Sequence, residues 1–221
     1  MTKQLPLPFA DPPGYAAADF VAAPSNQLAR DFLARPESWT NGRLVLWGEP
    51  GCGKTHLLHI WADAKGAVFI DGPQFRDFLT PPSGPVAIDD ADAAADETAL
   101  LHLINAAAEA GQPVLLTAQA PPARAEIALP DLASRLRASL AVEISPPDDG
   151  LLAALLGRLA ADRQLVLNLP VRNFLLSHLP RTPAALREAV ARLDKAALAG
   201  GGKISRTLAA SLLSDLALDL R

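Results

Sequence analysis

Apolar residues fall along the chain in short unbroken runs, separated by stretches in which they recur at helical spacing. Arg43-Leu-Val-Leu-Trp47 is, after its leading arginine, apolar without alternation and ends at glycine, the pattern of a strand buried on both faces. Comparable runs follow at Gly66-Ala-Val-Phe-Ile70, Pro85-Val-Ala-Ile88, Gln112-Pro-Val-Leu-Leu-Thr117 and Ala141-Val-Glu-Ile144. Helices are predicted between them at 54–64, 100–110 and 132–140. A further helix at 25–35 precedes the first strand, with Ser25 as its N-cap and Leu28, Phe32 and Leu33 on one face. Strands that alternate with helices predict an α/β fold whose parallel sheet is covered on both faces.

The pattern changes at Pro146-Pro147. Beyond it no strand signal of similar strength appears, and helices are predicted at 148–163, 171–179, 183–198 and 205–218. Leu186, Val190, Leu193 and Ala197 form a core face on the third of these. The chain therefore divides into a flexible tail at 1–18, an α/β domain at 19–145 and a small all-helical domain at 146–221. Pro6, Pro8, Pro12, Pro13 and Gly14 keep regular structure out of the tail.

Composition narrows the function classes. Among the 221 residues, 20 basic side chains face 24 acidic ones, which argues against a broadly basic surface for coating nucleic acid. The single cysteine, Cys52, excludes an internal disulfide framework and a cysteine-rich zinc site. No apolar run approaches the ~18 residues of a membrane span, and the N-terminus lacks a secretory h-region. A cytoplasmic protein is the expectation.

The residues Gly48-Glu49-Pro50-Gly51-Cys52-Gly53-Lys54-Thr55 fit G-x-x-x-x-G-K-[ST] without a mismatch. The glycines let the backbone turn its N–H groups inward around a phosphate. The helix that starts near Lys54 presents its positive dipole end to the same anion. Lys54 can reach the β- and γ-phosphates, and the Thr55 hydroxyl can bind Mg²⁺. ATP or ADP with Mg²⁺ is the implied ligand. Val86-Ala-Ile88-Asp89-Asp90 suits the second nucleotide motif, with Asp89 toward the metal and Asp90 toward an attacking water.

With these residues in place, the chain resembles the AAA+ module of the bacterial replication initiator DnaA. The resemblance rests on Pro24-Ser-Asn-Gln-Leu-Ala29, Lys54-Thr-His-Leu-Leu-His59 and Ile88-Asp-Asp90. Leu116-Thr-Ala-Gln-Ala-Pro-Pro122 is similar to the sensor 1 segment, and Leu132-Ala-Ser-Arg-Leu136 to the arginine-finger segment. It covers about residues 19–221. It implies a P-loop NTPase base domain followed by an AAA+ lid, with an adenine pocket around Phe20, Val21 and Asn26. Gln119 falls at the sensor 1 position with Thr117 close by. Arg135 is the implied finger acting in trans, with Arg137 as its rival. The sensor 2 position falls on Ala184, so Arg181 or Arg187 would have to substitute, or the lid would not touch the γ-phosphate.

The chain is expected to stop at the end of the lid, without the DNA-binding domain of DnaA, so direct sequence-specific DNA binding is not expected. The tail Gln4-Leu5-Pro-Leu7-Pro-Phe9 resembles a peptide that binds the sliding clamp, the β subunit of DNA polymerase III. Together these features imply a regulator associated with the nucleoid and replisome. Its partners would be DnaA and the clamp, with a homo-oligomer as a further expectation. It would stimulate hydrolysis of DnaA-bound ATP and so prevent re-initiation. A helicase-loader type of P-loop ATPase and a DnaA-like adaptor are the alternatives. His56 and His59 are read as packing or capping residues rather than metal ligands. His102 and His178 are also read as structural, and Trp47 and Trp61 as packing around the sheet.

Overall fold

The computed structural model describes residues 14–77, 82–200 and 204–219. They form two compact units, Tyr15–Pro146 and a second that begins at Pro147.

The first unit carries a five-stranded parallel sheet of β1 (Arg43–Trp47), β2 (Val68–Asp71), β3 (Val86–Asp89), β4 (Val114–Ala118) and β5 (Leu140–Glu143), in the order β2-β3-β4-β1-β5. Its helices are α1 (Pro24–Leu33), α2 (Lys54–Lys65), α3 (Glu97–Glu109) and α4 (Pro130–Arg137). Strand pleating sorts the core into two layers. Leu44, Leu46, Ala87, Leu115 and Val142 pack with Leu57, Leu58 and Trp61 of α2 and with Ala29 and Leu33 of α1. On the other face Val45, Val86, Ile88, Val114 and Leu116 meet Leu100, Leu103 and Ile104 of α3 and Leu132 and Leu136 of α4. Every strand run predicted from the sequence is a strand here, displaced by at most two residues at either end.

The start of α1 differs from expectation. Ala23 precedes the helix, Pro24 is its first residue, and Ser25 lies inside it. Proline suits that first position, where no N–H is needed. Asn26 does the capping: its Oδ1 accepts from the Ala23 N–H at 3.1 Å, and its Nδ2 donates to the Val21 carbonyl at 3.0 Å. The buried face is Asn26, Ala29 and Leu33, whereas Leu28 is 57% exposed.

The second unit is helical: α5 (Asp149–Asp162), α6 (Leu169–His178), α7 (Pro183–Gly200) and α8 (Arg206–Asp219). α5 packs on α7 and α6 on α8. Leu186, Val190, Leu193 and Ala197 are all buried. Asp148 and Asn168 cap α5 and α6 by accepting from the N–H groups of Leu151 and Val171. Arg181 pairs with Asp149 at 2.6 Å.

Candidate functional site

The carboxyl end of β1 runs straight into the glycine loop, and α2 leaves it at Lys54. Gly48 is required here for a steric reason. A Cβ at that position would stand 2.5 Å from the Ile144 carbonyl oxygen and 3.1 Å from Cys52 Sγ. Gly51 and Gly53 have φ of 80° and 107°, in the left-handed half of backbone space. Lys54 is buried, and its Nζ donates to the Gly48 carbonyl at 2.7 Å and to the Glu49 carbonyl at 3.1 Å. To reach a phosphate the ammonium exchanges these bonds for phosphoryl oxygens. Cys52 is buried with its Sγ 3.9 Å from Lys54 Nζ, and burial pushes the thiol pKa up. Glu49 and Pro50 are exposed on the loop.

Strand register assembles the other half. Asp89 closes β3, and Ile88 is paired with Leu116, which brings Asp89 to Thr117 on β4. Thr117 is fully buried. Its hydroxyl donates to Asp89 Oδ1 at 2.6 Å and accepts from the Asp90 N–H at 2.8 Å. Thr55 Oγ1 donates to the same Oδ1 at 3.1 Å. A hydroxyl and a carboxylate oxygen therefore meet at one point beside the loop, a hard-oxygen donor set that fits Mg²⁺. When bound, that ion would be held by Thr55 and Asp89 and would supply positive charge to offset that of a phosphate.

Asp90 sits at φ 46°, ψ 54°, a left-handed conformation uncommon outside glycine. Desolvation raises its pKa, and the nearby charges of Asp89 and Asp92 add to the effect while Lys54 opposes it. Gly72 permits this bend: a Cβ there would lie 2.6 Å from the Asp90 carbonyl oxygen and 2.7 Å from that of Asp89. Asp92 Oδ2 accepts from the Gln119 N–H at 2.7 Å, and the Gln119 residue itself is exposed. Thr117, noted in the sequence only as a neighbour of Gln119, is thus the β4 side chain that engages Asp89.

Phe20, Val21 and Asn26 lie together on the α1 side of the loop. A Cβ added to Gly53 would be 3.6 Å from the Phe20 ring, and both polar ends of Asn26 are committed to backbone. His56 packs edge-on against Tyr15 and Phe20, with Nε2 donating to the Ala16 carbonyl at 3.0 Å. His59 stacks between Tyr15 and Phe69 at 4.2 and 4.3 Å. Both histidines are engaged in packing. Among the described residues no group of three or more His, Cys, Asp or Glu is arranged to hold a metal.

Arg135 and Arg137 are exposed in the last turn of α4. Arg135 lines a cavity of about 550 Å³ with Asn41, Gly42, Arg43, Gln112 and Ser134. That cavity is at the amino end of β1, whereas the phosphate loop leaves the carboxyl end. A rise of ~3.3 Å per residue separates the two ends by roughly 13 Å. Gln4, Leu5, Leu7 and Phe9 lie outside the described residues. No helix among the described residues is long and apolar enough to cross a membrane.

Domain III of the replication initiator DnaA from Thermotoga maritima superposes with a TM-score of 0.76 at 20% identity, covering 92% of this chain and 97% of that one. The fold is that of an AAA+ P-loop NTPase. AMPPCP-bound DnaA from Aquifex aeolicus superposes at a TM-score of 0.64 and 15% identity, over 80% of this chain and 63% of that one. The Thermotoga maritima Holliday junction branch migration motor RuvB gives 0.63 at 19%, over 79% and 61%. An uncharacterized protein of Haemophilus influenzae is 29% identical over 215 residues, covering 90% of this chain and 93% of its own. No family model matches the chain.

Proposed function

We propose that this chain is a nucleotide-binding AAA+ regulator of replication initiation, an Hda-type inactivator that stimulates hydrolysis of DnaA-bound ATP. ATP or ADP with Mg²⁺ occupies the loop at 48–55, with Thr55 and Asp89 toward the metal. Phe20, Val21 and Asn26 lie toward the base, and Gln119 is on the sensor 1 segment. The observation that carries the reading is the separation of Arg135 from the chain's own phosphate loop by the length of β1. That separation supports a role toward a nucleotide held by a neighbouring subunit rather than toward the chain's own. It supplies positive charge as the γ-phosphoryl group transfers, an effect worth on the order of 10³–10⁵ in rate for arginine fingers.

The tail residues Gln4, Leu5, Leu7 and Phe9 bind the sliding clamp in this reading. The tether raises the local concentration of the regulator beside DnaA on DNA. A loader-type ATPase is the second reading, favoured by Asp90. Its carboxyl stands next to Asp89 with a raised pKa, where a residue orienting water for the chain's own turnover would stand. Hydrolysis of DnaA-bound ATP by the purified chain, with and without DNA-loaded clamp, separates the two. Clamp-dependent stimulation that is lost in Gln4→Ala supports the regulator. Clamp-indifferent turnover of the chain's own ATP, lost in Asp90→Ala, supports the loader.

A further inference from the structure

Arg43 opens β1 and is 4% exposed, yet no carboxylate pairs with it among the described residues. Burial and the charge of Arg135 together lower its pKa. A buried cation without an acid is costly, and an apolar side chain of similar volume would ordinarily serve a strand better. The partners of Arg43 show what it does instead. Its Nε donates to Ser139 Oγ at 3.1 Å, and its Nη1 donates to the Asn41 carbonyl at 3.3 Å. Ser139 Oγ in turn donates to the Arg135 carbonyl at 3.0 Å, and Asn41 Nδ2 donates to the Ala138 carbonyl at 2.9 Å. These are carbonyls at the end of α4, the helix that carries Arg135. The guanidinium is thus linked to the end of that helix through Ser139 and Asn41, and these neutral hydrogen bonds stand where a carboxylate would otherwise pair with it.

The other end of α4 is tied as firmly. Both carboxylate oxygens of Glu97 accept from the loop that enters it, at 3.0 Å from Ala128 N and 2.6 Å from Leu129 N. The short helix is therefore fixed at both ends, one of them through a charged side chain that also repels Arg135.

We propose that Arg43, acting through Ser139, is a positioning residue for Arg135. It locks the last turn of α4 to the start of β1 and, by like charge, keeps the Arg135 guanidinium off the sheet and available to a neighbouring subunit's phosphates. This inference rests on the reading that Arg135 acts in trans. Misplacing a reacting group by about 1 Å can lower a rate ~100-fold, and that is the size of effect at stake.

The test is single-turnover hydrolysis of ATP loaded on DnaA, with DNA-loaded clamp and increasing amounts of this chain. Arg43→Met is expected to lower the saturating rate constant by about 10- to 100-fold, with the half-saturating concentration unchanged. Arg43→Lys should restore only part of the rate, because an ammonium cannot reproduce the planar two-point contact. Ser139→Ala cuts the link while leaving the charge in place. It should slow the reaction less than Arg43→Met, and it carries the test if Arg43→Met does not fold. In an Arg135→Ala background, Arg43→Met should add nothing.

Wild-type rate constants in both Arg43→Met and Ser139→Ala would overturn the inference. So would a changed half-saturating concentration at an unchanged rate constant. Failure of the function reading looks different: the wild-type chain would then not stimulate, or Arg135→Ala would match it.

Discussion

Thr117→Val removes one hydroxyl and changes little else, because the two side chains are nearly isosteric. Thr117 is fully buried and has two partners: Asp89 Oδ1 accepts from it at 2.6 Å, and the Asp90 N–H donates to it at 2.8 Å. The bond to the carboxylate is worth ~1.5–3 kcal/mol, and a donor left without a partner costs ~1–3 kcal/mol. Asp89 keeps the Thr55 hydroxyl, which offsets part of the first loss. A net destabilisation of about 2–4 kcal/mol follows, equivalent to a drop of ~4–16 °C in the unfolding midpoint of a chain this size. The second effect is on the site itself. Asp89 loses the anchor that aims it at Thr55, and Asp90 loses a bond that holds its left-handed bend. Mg²⁺-dependent nucleotide affinity should therefore fall by about 10-fold or more, while Thr117→Ser stays near wild type. Thermal unfolding and fluorescent-ADP titration with and without Mg²⁺ read both effects. A valine variant with wild-type midpoint and wild-type Mg²⁺ dependence would refute the reasoning.

Asp90→Asn removes a carboxyl whose folded pKa is raised, chiefly by desolvation. The folded state of the wild type holds that proton more tightly than the unfolded chain, so ionisation costs stability as pH rises through the ordinary and then the raised pKa. The asparagine variant should melt higher at pH 7, with the gain disappearing at and below the ordinary carboxylate range; an equal gain at all pH values would count against the cause assigned. Gly72→Ala drives a methyl to within 2.6–2.7 Å of the Asp89 and Asp90 carbonyls. The overpacking should cost about 1–3 kcal/mol in urea unfolding and weaken nucleotide binding at the same time. Leu193→Ala opens the core of the helical unit, where Leu193 is 1% exposed. It should lose ~2–5 kcal/mol, measured by urea unfolding.

The parts of this molecule legible in the sequence are those set by local pattern. Unbroken apolar runs mark the strands; β1, β3 and β4 in the middle of the sheet are buried, whereas the edge strands β2 and β5 are partly exposed, and the glycine loop with its lysine and threonine is contiguous. Boundaries were displaced where a terminus depends on geometry. The apolar pattern starts a strand at Gly66, but Gly66 adopts φ 60° and ends α2, so β2 begins at Val68. α3 begins at Glu97 rather than Leu100 because Asp96 caps it, accepting from the Ala99 N–H. Ser25 fits a cap by residue type alone. The competing signal was Pro24 at the first helical position with Asn26 turned back onto Ala23.

The contacts that complete the site join distant segments. Thr117 meets Asp89 through the β3–β4 register, and Gly72 approaches Asp90 from another strand end. Arg43 reaches Ser139 across β1 and β5, 96 residues apart. Register between parallel strands is set by side-chain packing over the whole sheet and leaves no local mark. Arg43 in particular read only as the polar start of an apolar run.

The central claim is that Arg135 acts on a nucleotide held by another subunit. The most direct measurement loads this chain with ADP, loads DnaA with radiolabelled ATP, and follows single-turnover hydrolysis on DNA-loaded clamp. The expected result is fast hydrolysis with the wild-type chain and a return to the basal rate with Arg135→Ala, while that variant still binds ADP. Wild-type stimulation by Arg135→Ala would contradict the claim.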